Sequence, residues 1–161
     1  MGLPPALAPS PSDKREPFYI AINTTTAPRY RLNRFFAVST DTIPVYLPGE
    51  MTLIKAEAYA RQSTPDLVNA LIELNKVITK QPASDPWAVG AGLPPDAGPY
   101  TQAQMLDQIY RHRAIELYLS GLRLVDQRRF NRPVGERTRN YLPYPNVEHN
   151  GNINTPDDPT F

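Results

Sequence analysis

Few residues in this chain have the types and spacings that chemistry requires. Hydrolysis of a glycosidic bond needs two carboxylates facing one cleft at a set separation. The helical pattern turns only Glu57 and Glu116 inward, and each has a structural role there, so no catalytic pair is nominated. His112 and His149 are the only histidines, and their spacing matches no metal motif; Asp157 and Asp158 read as part of a solvated tail. The chain has no cysteine, hence no disulfide, thiolate ligand or thiol nucleophile. Gly90 and Gly92 lack a third glycine, and Pro94 and Pro95 interrupt any helix start, which argues against a nucleotide loop. No cofactor is implied. What remains is aromatic: Trp87, the single tryptophan, and Tyr100 sit in a proline-rich stretch. An exposed ring face is what a sugar stacks on, and the same rings would equally pin the stretch to its neighbours.

The element that must position most of these groups runs from Tyr110 to Phe130. Thr101 and Gln104 have the spacing of a capping box, and Gly121 supplies the left-handed stop expected at a helix end, which predicts a helix over 102–120. A shorter helix over 122–129 follows a bend. Apolar residues on two sides mark the long helix as sandwiched. Arg113 and Glu116 lie three apart on the inner stripe, so the spacing predicts a buried ion pair. Asp126 has Arg123 and Arg129 at helical spacing, again a structural pairing. Eight arginines against three acids over 110–140 make this stretch locally basic, but with several of them turned inward it is no phosphate track and no nucleic-acid partner is implied.

Upstream, the periodicity predicts a helix over 50–62 with apolar stripes Met51, Ile54, Ala58 and Leu53, Ala56, Ala60, so this helix too is expected to be covered on two sides. Thr64 is the expected cap of a second helix with Pro65 at its first position. Its stripe of Leu67, Ala70, Leu71, Leu74, Val77 and Ile78 is narrow, leaving Glu73, Lys76 and Lys80 wet. Two helices with a short connection form a hairpin, and Ala56 with Tyr59 has the small-then-tyrosine spacing of a tetratricopeptide unit, in a single copy. Residues 81–100 form a twenty-residue excursion with five prolines and three glycines. Residues 1–17, with five prolines, are expected to be a mobile or draped arm, and short extended segments are expected around Phe18 to Ile22 and from Arg29 to Thr40. After Phe130, Leu142 to Pro145 read as another extended segment. A formal net charge of +1 and 19 prolines in 161 residues fit one domain with long loops. No apolar run is long enough to span a bilayer, and the first fourteen residues lack the features of a secretory signal. The fold class is mainly α: a tetratricopeptide-like hairpin plus a long C-terminal helix with long proline-rich loops.

The order of the pieces carries more information than any one of them. GEMTLIKAEAYAR, then ALIELNKVITK, then a loop, then IYRHRAIELYLSGLRLVDQRRF, then LPYPNVE resembles the C-terminal helical region of the SusD/RagB family over roughly residues 50–150. That resemblance divides the chain into an arm with extended segments, 1–49, and a SusD/RagB-like helical domain, 50–161. It makes Glu57, Arg113, Glu116, Gly121, Arg123 and Asp126 framework positions and leaves Trp87 and Tyr100 as the local ligand-binding candidates. It implies a non-enzymatic component that binds glycans or other nutrients at the outer membrane for a TonB-dependent, SusC-like transporter. The family's members are longer surface lipoproteins that begin with a lipidated cysteine, so the chain is expected to be a C-terminal part of such a protein. A helical adaptor that binds protein partners alone is the other reading the hairpin allows.

Overall fold

The computed structural model describes residues 3–27, 29–35, 38–137, 142 and 144–157, apart from the His149 side chain. The chain forms two compact units, Met1–Ser120 and Gly121–Phe161. The first contains α1 (Arg15–Tyr19), β1 (Ile20–Ile22), β2 (Tyr30–Leu32), α2 (Pro48–Ala60), α3 (Leu67–Ile78) and α4 (Gln102–Glu116), with 3-10 turns at Pro5–Leu7 and Pro82–Ser84. The second contains α5 (Arg123–Arg129) and α6 (Asn146–Gly151). The architecture is mainly α, as the periodicity predicts.

Three helices make the core. Leu53, Ala56 and Ala60 of α2, Ala70, Leu74 and Val77 of α3, and Met105, Ile109 and Ile115 of α4 are all buried. α2 packs on both α3 and α4, and α3 also meets α4. The alanines at the contacts let the helix backbones approach closely, as their sizes dictate. The short connection Arg61–Asp66 folds α3 back on α2. Its cap is Asp66, whose side chain accepts from the Asn69 amide at 3.0 Å, so the expectation of Thr64 as cap and Pro65 as first helical residue is corrected by two positions. An aspartate in front of a first turn satisfies an orphan amide and suits the helix dipole, and proline fits as readily just before a cap.

The second apolar stripe of α2 is not covered as expected: Met51 and Ile54 remain 46% and 45% exposed. Glu73 is corrected in the opposite sense. It is buried between Lys55 and Lys76, at 2.9 and 2.7 Å, and the Lys76 hydrogen bond, helped by Lys55, holds its carboxyl below the usual range.

α4 opens with the capping box, Thr101 accepting from the Gln104 amide and the Gln104 side chain accepting from the Thr101 amide. It closes at Glu116, four residues before the expected end. Leu119 and Gly121 then both take positive φ, 69° and 82°. The left-handed glycine is present, but the helix has already stopped. The short strands β1 and β2 pair antiparallel, Ile20 with Leu32 and Ile22 with Tyr30.

Of the two expectations for the N-terminal arm, the draped one describes it: the arm lies against α4 and the 81–100 loop. Leu7, Asp13 and Arg15 are buried, the Arg111 guanidinium donates to the Ala8 carbonyl at 2.8 Å, and the Lys14 amide donates to the Ala91 carbonyl at 3.1 Å. Composition counts apolar residues, and the arm has few; it is fixed by polar bonds instead. The 81–100 excursion is likewise laid along α3. Asn75 bonds Asp96 in both directions, at 2.9 and 2.7 Å, and the Gly92 and Leu93 amides donate to the Lys80 and Ile78 carbonyls. Pro143 and 158–161 lie outside the described residues; Pro145 caps α6, so the segment expected to be extended leads into a helical turn.

Candidate functional site: an aromatic hollow hung on a buried ionic ladder

Glu116 is fully buried at the last position of α4, where a lone carboxylate would be intolerable. Its two oxygens are shared between two cations from distant parts of the chain: Oε2 accepts from Arg15 at 3.1 Å and Oε1 from Lys80 at 2.6 Å. The expected partner, Arg113, is buried on the same helix, but the carboxylate turns to Arg15 and Lys80 instead. Helical spacing brings two side chains within reach without deciding whether tertiary partners reach further in. Gly49 shows how close that fit is, since a Cβ there would stand 2.1 Å from Glu116 Oε1.

Arg15 completes its own shell with a fork onto Asp13, Nε to Oδ1 at 2.9 Å and Nη2 to Oδ2 at 2.6 Å, and a contact from Nη2 to His112 Nδ1 at 2.9 Å. Because guanidinium can only donate, Nδ1 accepts and the imidazole carries its proton on Nε2. Burial, then the positive charges of Arg15 and Arg111, hold His112 well below its ordinary value of 6.5. Burial opposes the Arg15 charge, but the Asp13 hydrogen bonds and the attraction of Glu116 outweigh it. Tyr19 donates to the Glu116 carbonyl at 2.6 Å, and burial, then the Glu116 charge, push its phenol up.

On the other side, Lys80 also bonds Asp85 at 2.8 Å, and Asp85 Oδ1 accepts from the amides of Trp87 and Val89 at 2.9 and 3.2 Å. Trp87 thereby takes a defined place. Its ring meets Phe35 at 6.0 Å and 71°, and Phe35 meets Phe18 of α1 at 5.6 Å and 73°. These edge-on rings bound an open hollow of about 310 Å³ lined by Phe18, Arg34, Phe35, Asp41, Thr42, Pro86, Trp87 and Ala88. That is the small end of ligand pockets, which run from roughly 300 to 1,000 Å³. Arg34 lies 5.8 Å over the Phe18 ring, and Asp41 is held by the Val38 amide at 3.0 Å. Phe35 and Ala88 both have positive φ, 64° and 59°. Non-glycine residues in that region store strain, which concentrates at binding sites.

The structure separates the two aromatic candidates. Trp87 lines the hollow; Tyr100 does not, its hydroxyl donating to Asp96 within its own loop. Burial and that hydrogen bond push the Tyr100 phenol up to about 12. Glu57 is buried with Arg61 on its Oε1 at 2.7 Å. Asp126 pairs with Arg129 at 2.7 Å, while Arg123 reaches Glu136 at 3.3 Å. Gly121 sits at positive φ with open space where a Cβ would be. Among the described residues, no group of three acid or histidine side chains is placed to hold a metal ion, and no helix is long and apolar enough to cross a membrane. The His149 side chain and Asp158 lie outside the described residues.

Sequence reasoning missed Phe18, Arg34, Phe35, Asp41 and Thr42 in the hollow, and Asp13, Arg15, Lys80 and Asp85 in the ladder. The available signal was local: Arg15 stands inside the proline-rich arm and Phe18 directly after it, and Arg34 with Phe35 ends a seven-residue stretch, 29–35, that holds three arginines and two aromatics.

The framework positions and their order find their counterpart in a known family. A model of the SusD family matches residues 18–159. The chain belongs to the SusD family. Members of this family bind glycans or other nutrients for uptake at the outer membrane, and it is a binding family, not an enzymatic one. No curated protein and no solved structure matches the chain. For a SusD-family chain, the ionic ladder reads naturally as architecture: both carboxylate oxygens of Glu116 are committed to cations.

Proposed function

We propose that this chain is a non-enzymatic part of a nutrient-binding component of a TonB-dependent outer-membrane uptake system. It supplies a helical framework and one small ligand subsite, and it works beside a SusC-like transporter in a surface lipoprotein. The family match over residues 18–159 carries this reading. The hollow supports the ligand class: aromatic rings offer faces to the C–H side of a sugar, and Arg34, Asp41 and Thr42 offer a donor, an acceptor and a hydroxyl to its oxygens. Tyr100, bound to its own loop, is a second and weaker candidate contact.

Stacking on one ring contributes about 1 kcal/mol, and ordering losses offset part of what several such contacts add. Affinity for a single oligosaccharide is therefore expected near millimolar, about 4 kcal/mol of binding. Titration calorimetry with malto-, cello- and xylo-oligosaccharides against wild type and Trp87→Ala is the test. Millimolar binding lost in Trp87→Ala supports the subsite; binding unaffected by the substitution removes the hollow from it.

One observation favours a second reading. The tetratricopeptide-like hairpin leaves Met51 and Ile54 of α2 and Val68 and Ile72 of α3 exposed. Large exposed apolar side chains in one region mark protein contacts. A helical adaptor would bind the transporter through these side chains and take no sugar. Gel filtration with the transporter, using Met51→Glu/Ile72→Glu, divides the two readings.

A further inference from the structure

The two walls of the hollow come from segments about seventy residues apart, yet both are tied to one atom group. One wall, Phe18, stands three residues after Arg15 on α1, and Arg15 is held by Glu116 Oε2. Tyr19, next to Phe18, adds a second tie through its bond to the Glu116 carbonyl. The opposite wall, Trp87, hangs by its backbone amide on Asp85, which is held by Lys80, which is held by Glu116 Oε1. All four charged side chains have little or no exposure, Lys80 the most at 14%, so solvent screens the ladder weakly.

We infer that Glu116 is a positioning residue for the hollow, setting the separation of its Phe18 and Trp87 walls through the ladder Arg15–Glu116–Lys80–Asp85. This deepens the nutrient-binding reading and rests on it for the ligand, though not for the geometry. A carboxylate with one oxygen on each side couples the walls directly. A break on the Lys80 side frees Trp87 while leaving Arg15 and Phe18 in place. A break at Glu116 frees both. Gly49 belongs to the same device, because only the missing side chain there lets Oε1 reach Lys80.

Trp87 is the sole tryptophan, so its emission reports on this wall alone. The experiment compares tryptophan emission and acrylamide quenching in wild type, Lys80→Met, Lys80→Arg, Asp85→Asn and Glu116→Gln, with circular dichroism as the check on folding. Leu74→Ala, a core change off the ladder, serves as the control for lost stability. In Lys80→Met and Asp85→Asn the emission is expected to move to the red and quenching to rise about twofold, with Lys80→Arg near wild type and Leu74→Ala unchanged. Oligosaccharide affinity should fall about tenfold with the same pattern. Folded Glu116→Gln is expected to shift in the same direction as Lys80→Met; wild-type emission and quenching in folded Glu116→Gln, or in folded Lys80→Met and Asp85→Asn, would overturn the inference. If the emission shifts while wild type itself binds no oligosaccharide in the panel, the positioning role stands and the nutrient-binding reading fails. If wild type binds and no variant shifts, the reverse holds.

Discussion

The ionic ladder of the first unit and the ion pairs of α5 in the second lie in opposite environments. In the ladder, Arg15 and Glu116 are sealed from solvent, whereas Lys55, Lys76 and Arg61 of the same unit pair with Glu73 and Glu57 while 58%, 56% and 40% exposed. In α5 the cations of the pairs are partly wet: Arg123 is 31% exposed and Arg129 38%, although Asp126 and Glu136 are nearly covered; Arg132, beyond α5, is covered more closely, at 15%. The first unit also holds the buried apolar core, although Ile22, Val45 and Val68 of that unit are exposed. The first unit buries a continuous set from Leu53 to Ile115, whereas Val125, Val134, Val147 and Ile153 of the second are more than half exposed. A sealed pair is severely missed when halved; a wet pair contributes little and is screened by salt. The same residue types therefore have different jobs in the ladder and in α5, and burial decides which.

The largest test of that difference is Glu116→Ala. It leaves Arg15 and Lys80 without their shared carboxylate inside the protein, and breaking a buried pair in this way costs about 3–5 kcal/mol. Urea denaturation of the chain should show that loss. A change under ~1 kcal/mol would put the ladder in the same class as the wet pairs and end the contrast.

How much of this is legible in the sequence follows from the range over which sequence patterns act. The Thr101 and Gln104 box, the narrow stripe of α3 and the left-handed Gly121 are set by residues within one or two turns of each other, and all three appear in the structure. Partner choice is different. Arg15 and Glu116 are 101 positions apart, and no periodicity relates them, so the local candidate Arg113 stands in for the distant one. The α2 wheel is apolar on two sides, but a wheel cannot say whether a neighbour covers each side; Met51 and Ile54 show that here one does not. In the hollow, Trp87 is visible as a lone aromatic in a long loop, while Phe35 and Phe18 join it only through the tertiary path of the chain.

pH sharpens the comparison next. His112 is neutral in the fold, accepting from Arg15, and its pKa is lowered by burial, then by Arg15 and Arg111. The unfolded imidazole titrates near 6.5, so below that pH the unfolded state binds a proton that the folded state refuses. Stability contributed by the neutral ring is therefore complete above pH 6.5 and declines as pH falls, by up to ~1.4 kcal/mol per unit. Between pH 6.5 and 5, thermal unfolding of wild type should fall more steeply than that of His112→Gln. Equal slopes would mean the guanidinium leaves room for a charged imidazole.

A smaller effect is expected at the first residue of the second unit. Gly121 has φ 82° and nothing within 4 Å of the point where a Cβ would stand, so substitution there meets no clash and only the backbone resists. Gly121→Val should destabilise by ~1 kcal/mol or more, and Gly121→Asn by less, since asparagine tolerates this region better than a branched residue. The order of the two variants in a thermal shift assay is the readout. Valine equal to asparagine would show that the turn relaxes to negative φ.

The smallest expected effect completes the contrast from the other side. Arg129 bonds Asp126 at 2.7 Å three residues away, with its side chain 38% exposed and its guanidinium 4.8 Å over the Phe130 ring. The geometry is good, but a partly wet cation keeps much of its hydration when unpaired, and holding the long side chain in one arrangement opposes the gain. Arg129→Ala should therefore cost under ~1 kcal/mol, with part of that loss coming from the ring contact and not from charge. Salt distinguishes the two contributions: screening shortens to about 3 Å in 1 M salt, where the ionic part fades and the ring contact persists. Hydrogen exchange of the α5 amides, with and without 1 M sodium chloride, measures it residue by residue. Protection in α5 should drop modestly with salt and hardly at all around α4, where Glu116 and Arg15 lie beyond the reach of screening ions. Equal salt sensitivity in both helices would mean that burial does not separate the two kinds of pair in this protein.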